Sequence, residues 1–250
     1  MFERYFFESI KNHNYIKIFL FSLIITLLLS FVNSFIGSNA LFLVALISLA
    51  LAPTLITYFK QLNSNEIKRI FTPNKLISNH LEEIVISWSL FLGVSIGFYL
   101  SIIGGFTTEL VYHEAFTNQL SAMMTQFDEL FLPILFNNLT VALFTFVLSF
   151  LIFSAMIFMI VWNASLVSYY ITTLTSSTQA LSHSLLILPH GLLEIAGFVL
   201  AGIAGGILSQ RFEDLKTLNR EQTKEFREDI AFLLLFSFLF ILIAAGIESF

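Results

Sequence analysis

The string Pro189-His190-Gly191-Leu192-Leu193-Glu194 holds the side chains best suited to chemistry. His190 and Glu194 are spaced so that one helix face presents both the imidazole and the carboxyl. Pro189 fits a first helical turn, where its missing N–H would be unpaired anyway. That would place Glu194 near the positive end of the helix. An imidazole and a carboxylate at such a point can bind an ion or pass protons. They can equally form a buried polar clamp that satisfies groups on a neighbouring helix. The residues alone leave both readings open.

Zinc sites use three or four ligands, and this pair supplies two. His183 precedes it, and Glu248 near the C-terminal end is a further donor, but there is no HExxH element and no cysteine. Neither a metal nor another cofactor is expected. No G-x-S-x-G elbow is present, so the chain is read as no enzyme; an intramembrane hydrolase is the form catalysis would have to take. Asn137 and Asn138 are expected to open a membrane span and Asn163 to close one, as caps and interhelical ties. Their Asn-x-Ser/Thr strings are discounted as glycosylation sites because both read as buried. His13, His80 and His113 fall in flanks and read as solvated.

The elements that position these groups are membrane spans. Between Leu130 and Gln210 the one charged side chain is Glu194. As helix, that stretch would reach about 120 Å, against a hydrocarbon core of about 30 Å. The whole chain is 57% hydrophobic and 12% charged, with mean hydropathy +0.86, whereas soluble domains run near a quarter charged. The net charge of −5 gives no basic surface for nucleic acid. The N-terminal residues lack the pattern of a cleaved secretory signal, so the first span reads as retained.

Apolar segments run over 16–37, 40–59, 84–106, 137–161, 190–209 and 230–247. All 12 Lys and Arg fall before residue 18, between 60 and 75, or between 211 and 227. The positive-inside rule places all three groups in the cytoplasm. The segment 107–129, with Glu109, Glu114, Asp128 and Glu129, then lies outside. An even number of crossings is required between Lys75 and Arg211, and three segments are obvious there. Either a weak, Ser/Thr-rich crossing lies in 164–187, or 211–229 is outside. The first is favoured and gives seven spans with a cytoplasmic N-terminus; the second gives six. Segments 2–11, 65–77 and 108–127 read as amphipathic helices lying on the membrane surface.

Small residues mark the packing faces. Gly93, Gly97 and Gly105 share one face of the third span. Gly197, Ala201 and Gly205 form a row on a later one, beside Gly202 and Gly206. Such rows let backbones approach closely in lipid. The first span carries Ser22, Thr26, Ser30 and Ser34 at the same spacing, with Asn33 adjacent. That stripe faces protein or water: it either bonds to another helix or lines a hydrated path.

Four elements in order are similar to the stage II sporulation protein M family of multi-pass membrane proteins. They are Asn137-Asn138-Leu139-Thr140-Val141-Ala142; Trp162-Asn163-Ala164; Leu188-Pro189-His190-Gly191-Leu192-Leu193-Glu194 with Ala201-Gly202-Ile203-Ala204-Gly205-Gly206; and Ala244-Ala245-Gly246-Ile247-Glu248. They cover about 130 to 250, and the Pro-His-Gly-x-x-Glu string is the specific one. Ala164 departs from the pattern, which has glycine there. In endospore formers the resemblance implies a membrane anchor that gathers peptidoglycan-degrading enzymes during engulfment. It marks Pro189, His190, Gly191 and Glu194 as signature positions without giving them chemistry.

The resulting expectation is an all-α, polytopic transmembrane bundle of six or seven spans with interfacial helices, in a single domain over 1–250. It would be a non-catalytic scaffold or assembly factor in the cell membrane. Its partners would be the bilayer, other membrane or extracytoplasmic proteins, and a second copy of itself, with no nucleic acid. The alternative is a transporter or channel for a small solute, ion or lipid that uses His190 and Glu194.

Overall fold

The computed structural model describes residues 15–37, 39–66, 80–106, 131–152, 154–175, 180–212 and 220–249. Among them run seven helices: α1 Tyr15–Ile36, α2 Ala40–Glu66, α3 Leu81–Ile103, α4 Phe131–Leu151, α5 Ser154–Thr175, α6 Ala180–Arg211 and α7 Arg220–Glu248. Each contains a stretch long and apolar enough to cross a membrane. Over the described residues the protein is therefore an all-helical multi-pass bundle with seven helices able to span. Segments 2–11 and 108–127, and 65–77 beyond Glu66, lie outside the described residues.

The extra crossing is real, but its position differs from the expected one. The apolar run 137–161 is not one span. It breaks at Ile152, between α4 and α5, and hydropathy stays high across the break, so composition could not mark it. The Ser/Thr-rich end of α5 is tolerated because its hydroxyls return to backbone carbonyls. Ser165 donates to Trp162 O at 2.7 Å, Ser168 to Ala164 O at 2.6 Å, and Thr172 to Ser168 O at 2.7 Å. A polar group bonded this way exposes little to lipid.

Two further expectations are corrected by the same helix limits. Asn163 does not close a span; it lies in the middle of α5, donating to Met159 O at 2.7 Å. Pro189 does not start a helix. It sits inside α6, a placement that membrane helices accommodate, so Glu194 is well inside the helix and away from its positive end. Asn137 and Asn138 fall in the second turn of α4, after Pro133 in the first.

α3 packs on α1 and on α5; α5 also meets α2 and α6; α6 packs against both α4 and α7. One apolar core, including Val44, Ile47, Phe91, Val94, Phe98, Ile157, Val161 and Ile203, draws its buried residues from every helix but α4, which adds Phe146 at its edge. A second, formed by Leu135, Ala142, Phe198, Ala201, Ile241 and Ala245, joins α4, α6 and α7.

Glycines set how closely these helices approach. A Cβ on Gly97 would lie 2.7 Å from Thr26 Cβ, and one on Gly93 would meet Ser22 and the Phe19 carbonyl more closely still. On α6, a Cβ on Gly197 would lie 2.7 Å from Ile241 Cγ1 and one on Gly202 2.8 Å from Met156 Cγ, while Gly205 abuts the Phe146 carbonyl of α4. Ala201 and Gly206 are buried on the same helix. Gly105 is different: it lies past the end of α3 at φ 72°, with nothing within 4 Å of an added Cβ. It terminates the helix rather than packing it.

Candidate functional site

Asn138 of α4, Glu194 of α6 and Glu248 of α7 meet between the three helices. The Asn138 Nδ2 donates to Glu194 Oε1, and the Glu248 carboxyl lies close enough to Glu194 for the two to interact electrostatically. α4 and α6 run parallel, since Asn138 meets Glu194 and, further along both, Phe146 meets Gly205. α7 runs the other way: Ser237 donates to Gly197 O at 2.7 Å, and Glu248, later in α7, meets the earlier Glu194. Helical side chains lean towards their own N-terminus. On antiparallel helices Glu194 and Glu248 therefore lean towards each other and close the gap in level between them.

The second apolar core adjoins this centre, with Leu135 and Ala142 on either side of Asn138 along α4. Polar atoms held in such surroundings need partners, and three helices supply them. His190 is buried, 9% exposed, one turn before Glu194. Gly191 has nothing within 4 Å of an added Cβ, so it is not there for close packing. Among the described residues no three His, Asp or Glu side chains come together to hold a metal ion. The centre is a set of hydrogen-bond donors and acceptors drawn from α4, α6 and α7.

The polar stripe of α1 is buried: Ser22, Thr26 and Ser30 are fully covered and Asn33 nearly so. Thr26 donates to Ser22 O at 2.8 Å and Ser22 to Phe19 O at 2.9 Å. Their outer surfaces lie on Gly93 and Gly97 of α3, so this part of the stripe is helix contact.

At the opposite end of the bundle the structure holds a pair the sequence reading missed. His80, expected to be solvated, is 1% exposed. Its Nε2 lies 2.9 Å from both Oδ1 and Oδ2 of Asp229 on α7. His80 occupies the N-cap of α3, and Glu83, one turn on, is buried too. A signal for Asp229 was present: it shares a helix face with Phe226, Ile230, Leu233 and Ser237, all buried. An acid on a buried stripe has to find a partner.

The model of the Stage II sporulation protein M family matches residues 85–250. The chain belongs to the stage II sporulation protein M family. The match takes in α4 to α7, most of α3 and all three residues of the polar centre, and begins earlier than the motifs at about 130. It is a family of multi-pass membrane proteins and not a known family of enzymes. No curated protein and no solved structure matches the chain.

Proposed function

We propose that this protein is a non-catalytic scaffold or assembly factor of the cytoplasmic membrane, with its N-terminus in the cytoplasm. The carrying observation is the use to which Glu194 is put. The one acid between Leu130 and Gln210 accepts a hydrogen bond from Asn138, as a tie between α4 and α6, and Glu248 of α7 lies beside it. Three further features support the reading. His80 and Asp229 tie α3 to α7 at the other end. The Ser168 hydroxyl of α5 lies 2.7 Å from Ser95 O of α3, and its one proton is shared between that carbonyl and Ala164 O of its own helix. With seven crossings, all three clusters of Lys and Arg fall on one side, as the positive-inside rule requires. A bundle tied in this way presents fixed surfaces to other membrane or extracytoplasmic proteins, and the acidic segment 107–129 would be offered on the outer side.

Transport of a small solute, ion or lipid would need the α1 stripe as a path lining, and the packing of Ser22 and Thr26 on Gly93 and Gly97 speaks for the scaffold instead. The test has two arms. Affinity purification from gently solubilised membranes should recover a reproducible protein partner at near-stoichiometric yield. Liposomes carrying the protein should be no more permeable than empty ones to a panel of ions, small solutes and fluorescent lipids. Recovery of the protein alone together with a flux lost in Glu194→Gln would overturn the reading in favour of transport.

A further inference from the structure

The two adjacent asparagines of α4 have opposite fates. Asn138 is buried and donates to Glu194. Asn137 is exposed, and its one hydrogen bond among the described residues is a long one, Nδ2 to Asn138 Oδ1 at 3.3 Å. It sits about 9 Å along α4 from Phe131, inside the apolar span. Around it the exposed surface is Leu132, Phe136, Leu143 and Phe144. An amide with open hydrogen-bonding capacity is costly in hydrocarbon.

Other polar residues on exposed helix faces avoid that cost. Ser34, Thr57 and Thr140 each return a hydroxyl to a carbonyl of their own helix, at 2.6, 2.9 and 2.7 Å. Asn137 has no such return bond, so its amide is offered outward. Asn137 also lies on a regular seam. Pro133, Asn137, Thr140, Phe144, Val147 and Leu151 are all exposed, and they alternate four and three residues apart, the spacing of a helix pair.

The occupant must bring a polar group to the depth of Asn137. A second copy does so by symmetry. All copies insert in one orientation, so a two-fold axis between them runs along the membrane normal and sets each α4 residue level with its counterpart. An asparagine amide is both donor and acceptor, so two Asn137 side chains can satisfy each other. A single asparagine at a seam position also fixes the register of a helix pair.

We propose that two copies of this chain pair in the membrane along α4, through the seam from Pro133 to Leu151, with their Asn137 amides hydrogen-bonded to each other. The proposal stands independently of the scaffold reading. The chain has no cysteine, so single cysteines report cleanly. In bilayers under mild oxidation, Phe144→Cys and Val147→Cys should give disulfide dimers, whereas Ile24→Cys, on the exposed face of α1, should not. Asn137→Leu should weaken dimerisation about tenfold, within the range reported for interhelical polar contacts, and Asn137→Gln should largely retain it. Single-molecule photobleaching gives the stoichiometry, and circular dichroism confirms that each variant is folded. The proposal is overturned by a monomer in lipid, which would mean lipid alone covers the seam, or by cross-linking at Ile24→Cys as efficient as at Phe144→Cys. A partner other than a second copy captured at Phe144→Cys, or a folded Asn137→Leu variant that dimerises like the parent, would overturn it as well.

Discussion

Alanine placed at two glycines of this bundle should have opposite effects, and the structure gives both signs. On Gly97 the added Cβ would sit 2.7 Å from Thr26 Cβ, 2.9 Å from Thr26 Cγ2 and 3.2 Å from Leu23 O. Comfortable carbon–carbon separation is about 3.5 Å or more, so the contact is short by about 0.8 Å. A Cβ is fixed to the backbone, so α1 as a whole must retreat from α3. Overpacking of this kind costs about 1–3 kcal/mol, and alanine recovers up to about 1 kcal/mol of helix propensity. The net expectation for Gly97→Ala is a loss of about 1–2 kcal/mol. On Gly191, by contrast, an added Cβ meets nothing within 4 Å, and only the propensity gain of about 0.5–1 kcal/mol remains. Thermal or SDS-induced unfolding in bicelles, followed by fluorescence of Trp88 and Trp162 or by circular dichroism, should separate the two variants by roughly 2 kcal/mol on these estimates. A Gly191→Ala protein less stable than Gly97→Ala would refute the reasoning, because it would mean that the surroundings of Gly191, and not the α1–α3 seam, are where this fold is tight.

Three other outcomes follow from the geometry. A double-mutant cycle on Asn138→Ala and Glu194→Gln should give a coupling of about 0.6 to 1.7 kcal/mol, the range of polar contacts between membrane helices; additive effects would remove the tie between α4 and α6. Replacing His80 or Asp229 singly by leucine should cost about 3–5 kcal/mol, since each leaves a buried partner behind, and the double leucine variant should recover much of it. Unfolding midpoints measure this, and single variants as stable as the parent would show that the pair is not buried. Finally, a membrane-impermeant thiol reagent should label Phe106→Cys and Ile152→Cys from opposite sides of the membrane, one crossing apart; labelling from the same side would break the seven-span topology.

Much of the candidate centre was legible as single residues. Glu194 stands out because nothing else between Leu130 and Gln210 is charged, and Asn137, Asn138 and Glu248 belong to strings that point to the family. What they touch was not legible. The in-or-out choice between Asn137 and Asn138 depends on the rotation of α4 against α6. His80 looked like a flank residue because Asp229, its partner, lies 149 positions away. Pro189 looked like a helix start because proline favours that position, yet helix geometry continues through it from Ala180. The break at Ile152 was invisible to hydropathy because both sides of it are strongly apolar.

The chain by itself determined that the protein crosses a membrane, that its crossings are helices, which family it belongs to, and that some helix faces are small enough for close contact. Those properties follow from composition and from periodicity over a turn or two, and lipid leaves the backbone no other way to satisfy itself. Only the tertiary structure decided that Asn138, Glu194 and Glu248 form one centre, that Ser22 and Thr26 press on glycines of α3, and that Asn137 is left facing outward. These depend on contacts between helices far apart in sequence, 56 residues in the case of Asn138 and Glu194, and on the rotation each helix adopts once all are packed.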